Sequence, residues 1–200
     1  MSRCGLVILA GGAASRLGEP KQLLPIEGEA MLVRVVRLGL QSEANPVVVV
    51  LGAHANACEE ALVGLPVILV KNEAWREGIA SSIRAGIEAL DEEIEGVLIV
   101  LADQPLISAP LIHDLIHSGQ SIAASAYADT LGPPAFFERR FFPKLLALQG
   151  DSGAKHVIRA HADEVAVIDF AEGEFDIDTA QDYQQLVTSG VLAHHEITVL

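Results

Sequence analysis

Short β-branched and aliphatic runs alternate with longer stretches of helical period along the 200 residues of the chain, and this alternation limits the fold more than any other feature. GLVILA, PVVVVL, PVILV, GVLIVLA, SIAASA and EVAVID, beginning at residues 5, 46, 66, 96, 121 and 164, read as strands. Helical spacing falls near residues 29–41, 54–63, 76–91, 108–118, 141–149, 152–161 and 179–189. A strand that is apolar along its length is covered on both faces, so the pattern predicts a mostly parallel sheet between two helical layers, a Rossmann-like three-layer α/β/α sandwich. Half of the residues are apolar and there is no repeat, low-complexity tract or linker, so one domain spanning residues 1–200 is expected.

The balance of charge narrows the partners. Thirteen Lys and Arg stand against 27 Asp and Glu, a net charge of -14 with no basic cluster, which disfavours nucleic acid and anionic membranes and favours a small ligand or a protein. Cys4 and Cys58 form no CxxC or Cys/His metal spacing, which fits a reducing cytoplasm. GLVILA is too short to span a membrane and leads into no signal-peptide cleavage region, so a soluble cytoplasmic protein is expected.

LAGGAASRLGEPKQLLPI, Leu9 to Ile26, follows the first strand. A buried strand ending in Gly11 and Gly12 brings bare backbone to the carboxyl edge of the sheet, where ligands of α/β folds bind. Backbone N–H groups without Cβ atoms approach an anion closely, and Arg16 and Lys21 add charge for several phosphate oxygens, which suits a triphosphate. On spacing alone, a glycine turn with two solvated cations stands beside that reading. The stretch is neither GxGxxG nor GxxxxGK[ST], so it lacks the dinucleotide and P-loop signatures.

Carboxylates recur further on. Asp103 ends the strand GVLIVLA, with Gln104 and Pro105 turning the chain, and is placed either to hold Mg²⁺ on phosphates or to cap the helix at Ser108. Asp176 and Asp178 share a face if FDID is extended, as a second carboxylate for one ion needs; otherwise either caps the helix near Thr179. Gly78, Ser82 and Gly86, at i, i+4 and i+8, put small residues on one side of a helix, with Gly86 expected against a strand. Trp75 is expected either to stack on a ligand ring or, the reading favoured, to anchor the helix in the core, and Arg84 to face solvent. Asp151 is expected to cap a helix from which Lys155 reaches forward, at an N-terminus able to bind a phosphate. His113 and His117 have the i, i+4 spacing of metal ligands, but Leu111, Ile112, Leu115 and Ile116 mark the buried stripe and turn both outward, so a solvated face is expected. His194 and His195, in the tail, support no site.

GGAASRLGEPKQLLPI resembles the signature of nucleotidyltransferases of the nucleotide-diphospho-sugar transferase fold, GGxxxRxGxxK followed by LL. NEAWREGIASSIRAGIEAL, VLADQPLIS, LQGDSGAKHVI and FDIDTAQDYQQL, starting at residues 72, 100, 148 and 175, are similar, in that order, to blocks of the MocA-type molybdenum cofactor cytidylyltransferases among the MobA-like NTP transferases. The resemblance implies Mg²⁺-dependent transfer of CMP from CTP to the phosphate of molybdopterin, with release of pyrophosphate and formation of a dinucleotide cofactor. It implies Arg16, Lys21 and Asp103 as catalytic residues. Leu9, Ala10, Gly11, Gly12, Gly78, Ser82 and Ala102, with Arg16 and Lys21, would surround the nucleotide. Asp103 and Asp178 would hold the metal, with Asp176, Asp151 and Lys155 as a second carboxylate or on the acceptor side. LGPPAFF, Leu131 to Phe137, resembles the acceptor-side segment, and a molybdenum hydroxylase or its insertion chaperone would be the partner.

The base is read from opposing signs. LAGG is the form common in the guanylyltransferase relatives, whereas Pro20 before Lys21 and the Trp75 block belong to the cytidylyl group, so CTP is favoured over GTP. Behind these two stand a sugar- or alcohol-phosphate nucleotidyltransferase and a non-catalytic cofactor-binding or insertion protein.

Overall fold

Each of the six apolar runs folds as a strand, and a seventh main-sheet strand lies where the sequence showed none. The structure, a computed structural model, describes residues 3–13, 20–175, 177 and 180–188. In chain order the elements are β1 (Cys4–Ala10), β2 (Pro25–Ile26), β3 (Glu29–Ala30), α1 (Met31–Gln41), β4 (Val47–Leu51), α2 (Ala55–Ala61), β5 (Ile68–Lys71), α3 (Ile79–Glu88) and β6 (Gly96–Leu101). They continue with α4 (Ala109–Ile116), β7 (Ile122–Tyr127), β8 (Thr130–Glu138), α5 (Phe142–Leu146), α6 (Ala154–Ala160), β9 (Val165–Asp169) and α7 (Ala180–Thr188). The main sheet runs β5-β4-β1-β6-β8-β7-β9, parallel except for β8, and β2–β3 is a separate small hairpin.

Alternate residues of the central strands go to opposite layers. Leu6, Ile8, Val47, Val49, Leu98 and Val100 pack with α1, α2 and α4. Val7, Leu9, Val48, Val50, Val97 and Ile99 pack with α3, α5 and α6. This two-sided burial is the expected sandwich of the nucleotide-diphospho-sugar transferase fold. Gly86 meets its expectation: a Cβ there would lie 2.4 Å from Val7 Cγ1, so the helix backbone sits directly on β1. A third cluster joins Leu24, Ile26 and Met31 to Leu106, Ile177 and Leu186, which fastens α7 over the small hairpin.

β8 contains Pro133 and Pro134, residues that break a regular ladder. The β7–β8 register shifts between Ala124 and Ser125, and neither proline is paired with β6 or β7. The bulge removes the demand for their missing N–H groups. Ser125 Oγ donates to Pro134 O at 2.8 Å, and the Gln104 side-chain amide and Tyr127 hydroxyl donate to Pro133 O at 3.0 and 2.9 Å.

Two helix starts differ from expectation. α3 begins at Ile79 rather than near residue 76, because Gly78 has φ +104 and breaks the preceding 3₁₀ turn of Trp75–Glu77. α6 is preceded by Gly153, not capped by Asp151, which lies in a turn where Ser152 N bonds Gln149 O.

Candidate active site

Strand order places the cleft. From β1 the chain builds outward through β4 and β5, then returns to the other side of β1 with β6. The carboxyl ends of β1 and β6 therefore face a topological switch point, where α/β sheets bind ligands. A cleft of about 560 Å³ opens there, between the loop leaving β1, the turn after β6, and the Trp75 turn with the start of α3.

The loop leaving β1 is held from below. Gln22 is buried, and its side-chain amide donates to Gly12 O at 2.8 Å and to Ala10 O at 3.4 Å. Its Oε1 is buried without a hydrogen-bond partner among the described residues. A Cβ on Gly11 would come within 2.9 Å of Ser82 Oγ, so close approach of this loop to α3 requires glycine. Lys21 Nζ, one residue before Gln22, meets Asp103 Oδ2 at 2.6 Å across the cleft. Both side chains are mostly buried, 13% and 19% exposed, so the attraction is screened less than that of a surface pair. Ser108, not Asp103, caps α4, its Oγ accepting from Leu111 N.

The opposite wall is built from a buried amide. Asn72 donates to Ser81 Oγ at 2.8 Å and to Ser82 Oγ at 3.0 Å, while its Oδ1 accepts from Ala74 N at 3.0 Å. Ser81 passes its own proton to Gly78 O at 2.8 Å. Ser82 lines the cleft and, as an acceptor from Asn72, presents its O–H to whatever binds. Trp75 stands half-buried in the cleft wall with the Arg76 guanidinium 4.3 Å over its ring, which corrects its expected place in the core. Arg84 is no free surface cation: it donates to Leu148 O at 2.7 Å and pairs with Glu77 at 3.0 Å. Ala80 N bonds Gly150 O, and a Cβ on Gly78 would lie 2.4 Å from that oxygen, so the loop carrying Asp151 is docked on the start of α3.

The structure thus brings Leu9, Gly11, Gly12, Lys21, Gly78, Ser82, Ala102, Asp103 and Asp151 to one cleft. Ala10 stays in β1 and contributes its carbonyl to the Gln22 amide. Lys155 is not among the lining residues; its ammonium sits 5.3 Å from the Tyr127 ring centre. Arg16, Asp176 and Asp178 lie outside the described residues, as do His194 and His195. Gln22 and Asn72 were assigned no role from sequence; the only signals were the adjacency of Gln22 to Lys21 and the place of Asn72 at the head of the Trp75 block. Cys4 and Cys58 are free, and burial pushes their thiols up to about 12 and about 11, so neither supplies a thiolate at neutral pH. Among the described residues no helix is long and apolar enough to cross a membrane.

Bare backbone at the switch point, faced by a lysine–carboxylate pair, is chemically suited to a phosphorylated ligand. Residues 6–165 match the MobA-like NTP transferase domain, and the chain belongs to that family of nucleotidyltransferase enzymes. It is 32% identical over 198 residues to nicotine blue oxidoreductase of Paenarthrobacter nicotinovorans, covering 90% of this chain and 95% of the relative. It is 28% identical to purine catabolism protein PucB of Bacillus subtilis, covering 90% and 94%. A probable molybdenum cofactor guanylyltransferase of Bacillus mycoides is 31% identical over 54% of this chain and 52% of its own. Among solved structures, Rv0371c of Mycobacterium tuberculosis superposes with a TM-score of 0.83 at 28% identity, over 93% of this chain and 98% of its own. Its complex with manganese superposes at 0.79, with 27% identity over 94% and 100%.

Proposed function

We propose that the protein, as one nucleotidyltransferase domain over residues 1–200, transfers CMP from CTP to the phosphate of molybdopterin and releases pyrophosphate. The Lys21–Asp103 pair facing the glycine loop carries this reading, because a triphosphate needs a cation and a metal-holding carboxylate at one place. Those groups favour nucleotidyl transfer over the redox chemistry named for the Paenarthrobacter relative. The acceptor follows from the resemblance to MocA-type sequences and from the molybdenum cofactor named for the Bacillus mycoides relative.

The donor set suits Mg²⁺. Asp103 is a hard oxygen ligand at the cleft wall, and Mg²⁺ is commonly held by one or two carboxylates together with substrate phosphates. Asp178 is the proposed second carboxylate, with Asp176 beside it. The bound cation would supply charge neutralisation on the phosphate oxygens.

Each side chain then has a task. The N–H groups of the glycine loop, held by Gln22, receive the triphosphate. Lys21, drawn from Asp103 toward the phosphates, and Arg16 stabilise the charge that develops on the α-phosphate and the leaving pyrophosphate. The acceptor phosphate oxygen attacks the α-phosphorus in line as pyrophosphate leaves, and being anionic at neutral pH it needs no general base. Ser82 offers a donor that suits the O2 and N3 acceptors of cytosine, while Asp151 and Lys155 are assigned to the acceptor side. The product would pass in the cytoplasm to a molybdenum hydroxylase or its insertion chaperone.

Pyrophosphate release measured separately with CTP, GTP, ATP and UTP, in Mg²⁺ and with or without molybdenum cofactor, tests the assignment. Cofactor-dependent release with CTP is expected. Release with GTP alone moves the protein to the guanylyl branch, and silence with all four contradicts the acceptor or the catalytic role.

A further inference from the structure

At the amino end of the sheet, away from the cleft, the chain brings two histidines and a glutamate to one point. His113 lies on α4 and His117 at its end, one turn apart, and Glu43 lies in the segment entering β4. Glu43 Oε1 is 2.5 Å from His117 Nε2 and 3.4 Å from His113 Nδ1, and one ligand atom from each residue falls within 4.8 Å of the others. A single carboxylate oxygen shared by two imidazoles is the arrangement from which three donors converge on one ion after small side-chain rotations.

Both supports are rigid. Leu111, Ile112 and Leu115 bury α4 against the sheet, which points the histidines outward as one pair. On the other side, Ser42 Oγ donates to Gly39 O at 2.6 Å and accepts from Ala44 N at 3.2 Å, and Asn45 N bonds Cys4 O at 2.7 Å. The backbone on both sides of Glu43 is therefore fixed before any ion arrives. All three side chains remain exposed to solvent, 38% for Glu43, 65% for His113 and 43% for His117, which leaves remaining coordination positions to water.

We propose that Glu43, His113 and His117 form a surface site for a borderline divalent transition metal, with Zn²⁺, Ni²⁺ or Co²⁺ as its class of ligand, independent of the nucleotidyl-transfer cleft. Two imidazole nitrogens with one carboxylate select these ions over Mg²⁺ and Ca²⁺, which prefer all-oxygen shells. The ion clips α4 to the segment between α1 and β4, and so stabilises the fold when bound.

Zinc titrated into the full chain in excess Mg²⁺, followed by calorimetry and thermal unfolding, tests the site. The wild type binds one more zinc equivalent than the His113→Ala/His117→Ala double variant, and its Tm rises by roughly 5–10 °C at zinc about 100-fold above Kd. Glu43→Gln, which keeps the side-chain volume, weakens that binding at least about tenfold. All three positions are exposed, so unchanged Tm values without metal confirm that the variants fold. Equal zinc uptake by the wild type and the double variant overturns the site, and so does undiminished affinity in Glu43→Gln.

Discussion

Asn72 is the residue on which the polarity of the cleft turns. Both of its amide hydrogens go to serine hydroxyls, so Ser82 is held as an acceptor toward the protein and a donor toward the ligand. Asn72→Asp keeps the shape and the bond from Ala74 N, but a carboxylate draws the Ser82 proton inward and leaves lone pairs facing the cleft. Loss of one neutral hydrogen bond raises KM for CTP about 3- to 10-fold, and the carboxylate buried without a cation partner lowers Tm. Steady-state kinetics with CTP checks this, and an unchanged KM contradicts the role. Lys21 and Asp103 were each legible as residue types suited to phosphate and metal. Their pairing was not, because it depends on β1 and β6 lying side by side, with Leu9 opposite Leu101, and neither strand carries a mark of its neighbour. Gln22 and Asn72 were illegible for a related reason: a buried amide is chosen by the orphan groups around it, and these are created only by tertiary structure.

At the scale of elements, hydrophobic period marked the six runs and their helices, since burial on two faces writes itself into consecutive apolar residues. β8 was hidden because Pro133 and Pro134 contradict strand propensity, and only the bulge opposite Ala124 and Ser125 makes them admissible. The cap assigned to Asp151 failed because the loop before α6 docks on α3 through Gly150 O, a contact that local sequence does not encode. Trp75 was misplaced for a different reason: an aromatic beside a helix start looks the same whether it fills a core or walls a cleft. The α3–β1 contact yields a stability prediction. Gly86→Val drives a side chain into Val7, where even a Cβ would lie 2.4 Å from Cγ1, and lowers Tm by about 3–10 °C. Thermal unfolding checks it, and a Tm at or above wild type contradicts the packing.

For the whole molecule, one strand order accounts for where the chemistry sits. The return of the chain across β1 leaves bare backbone, the Lys21–Asp103 pair and the Asn72-supported wall around a single opening, while the His113–His117 pair and Glu43 lie at the other end of the sheet. The chain carries a net charge of -14 and the proposed ligands are themselves anionic, so under the proposed mechanism Lys21 would counter a repulsive field as well as the developing charge. The most direct measurement is steady-state pyrophosphate release from CTP, with Mg²⁺ and molybdenum cofactor, by wild type, Lys21→Ala and Asp103→Ala. Turnover falls by about 10- to 1000-fold in each variant if the pair acts on the triphosphate. Release at the wild-type rate in both variants would contradict it.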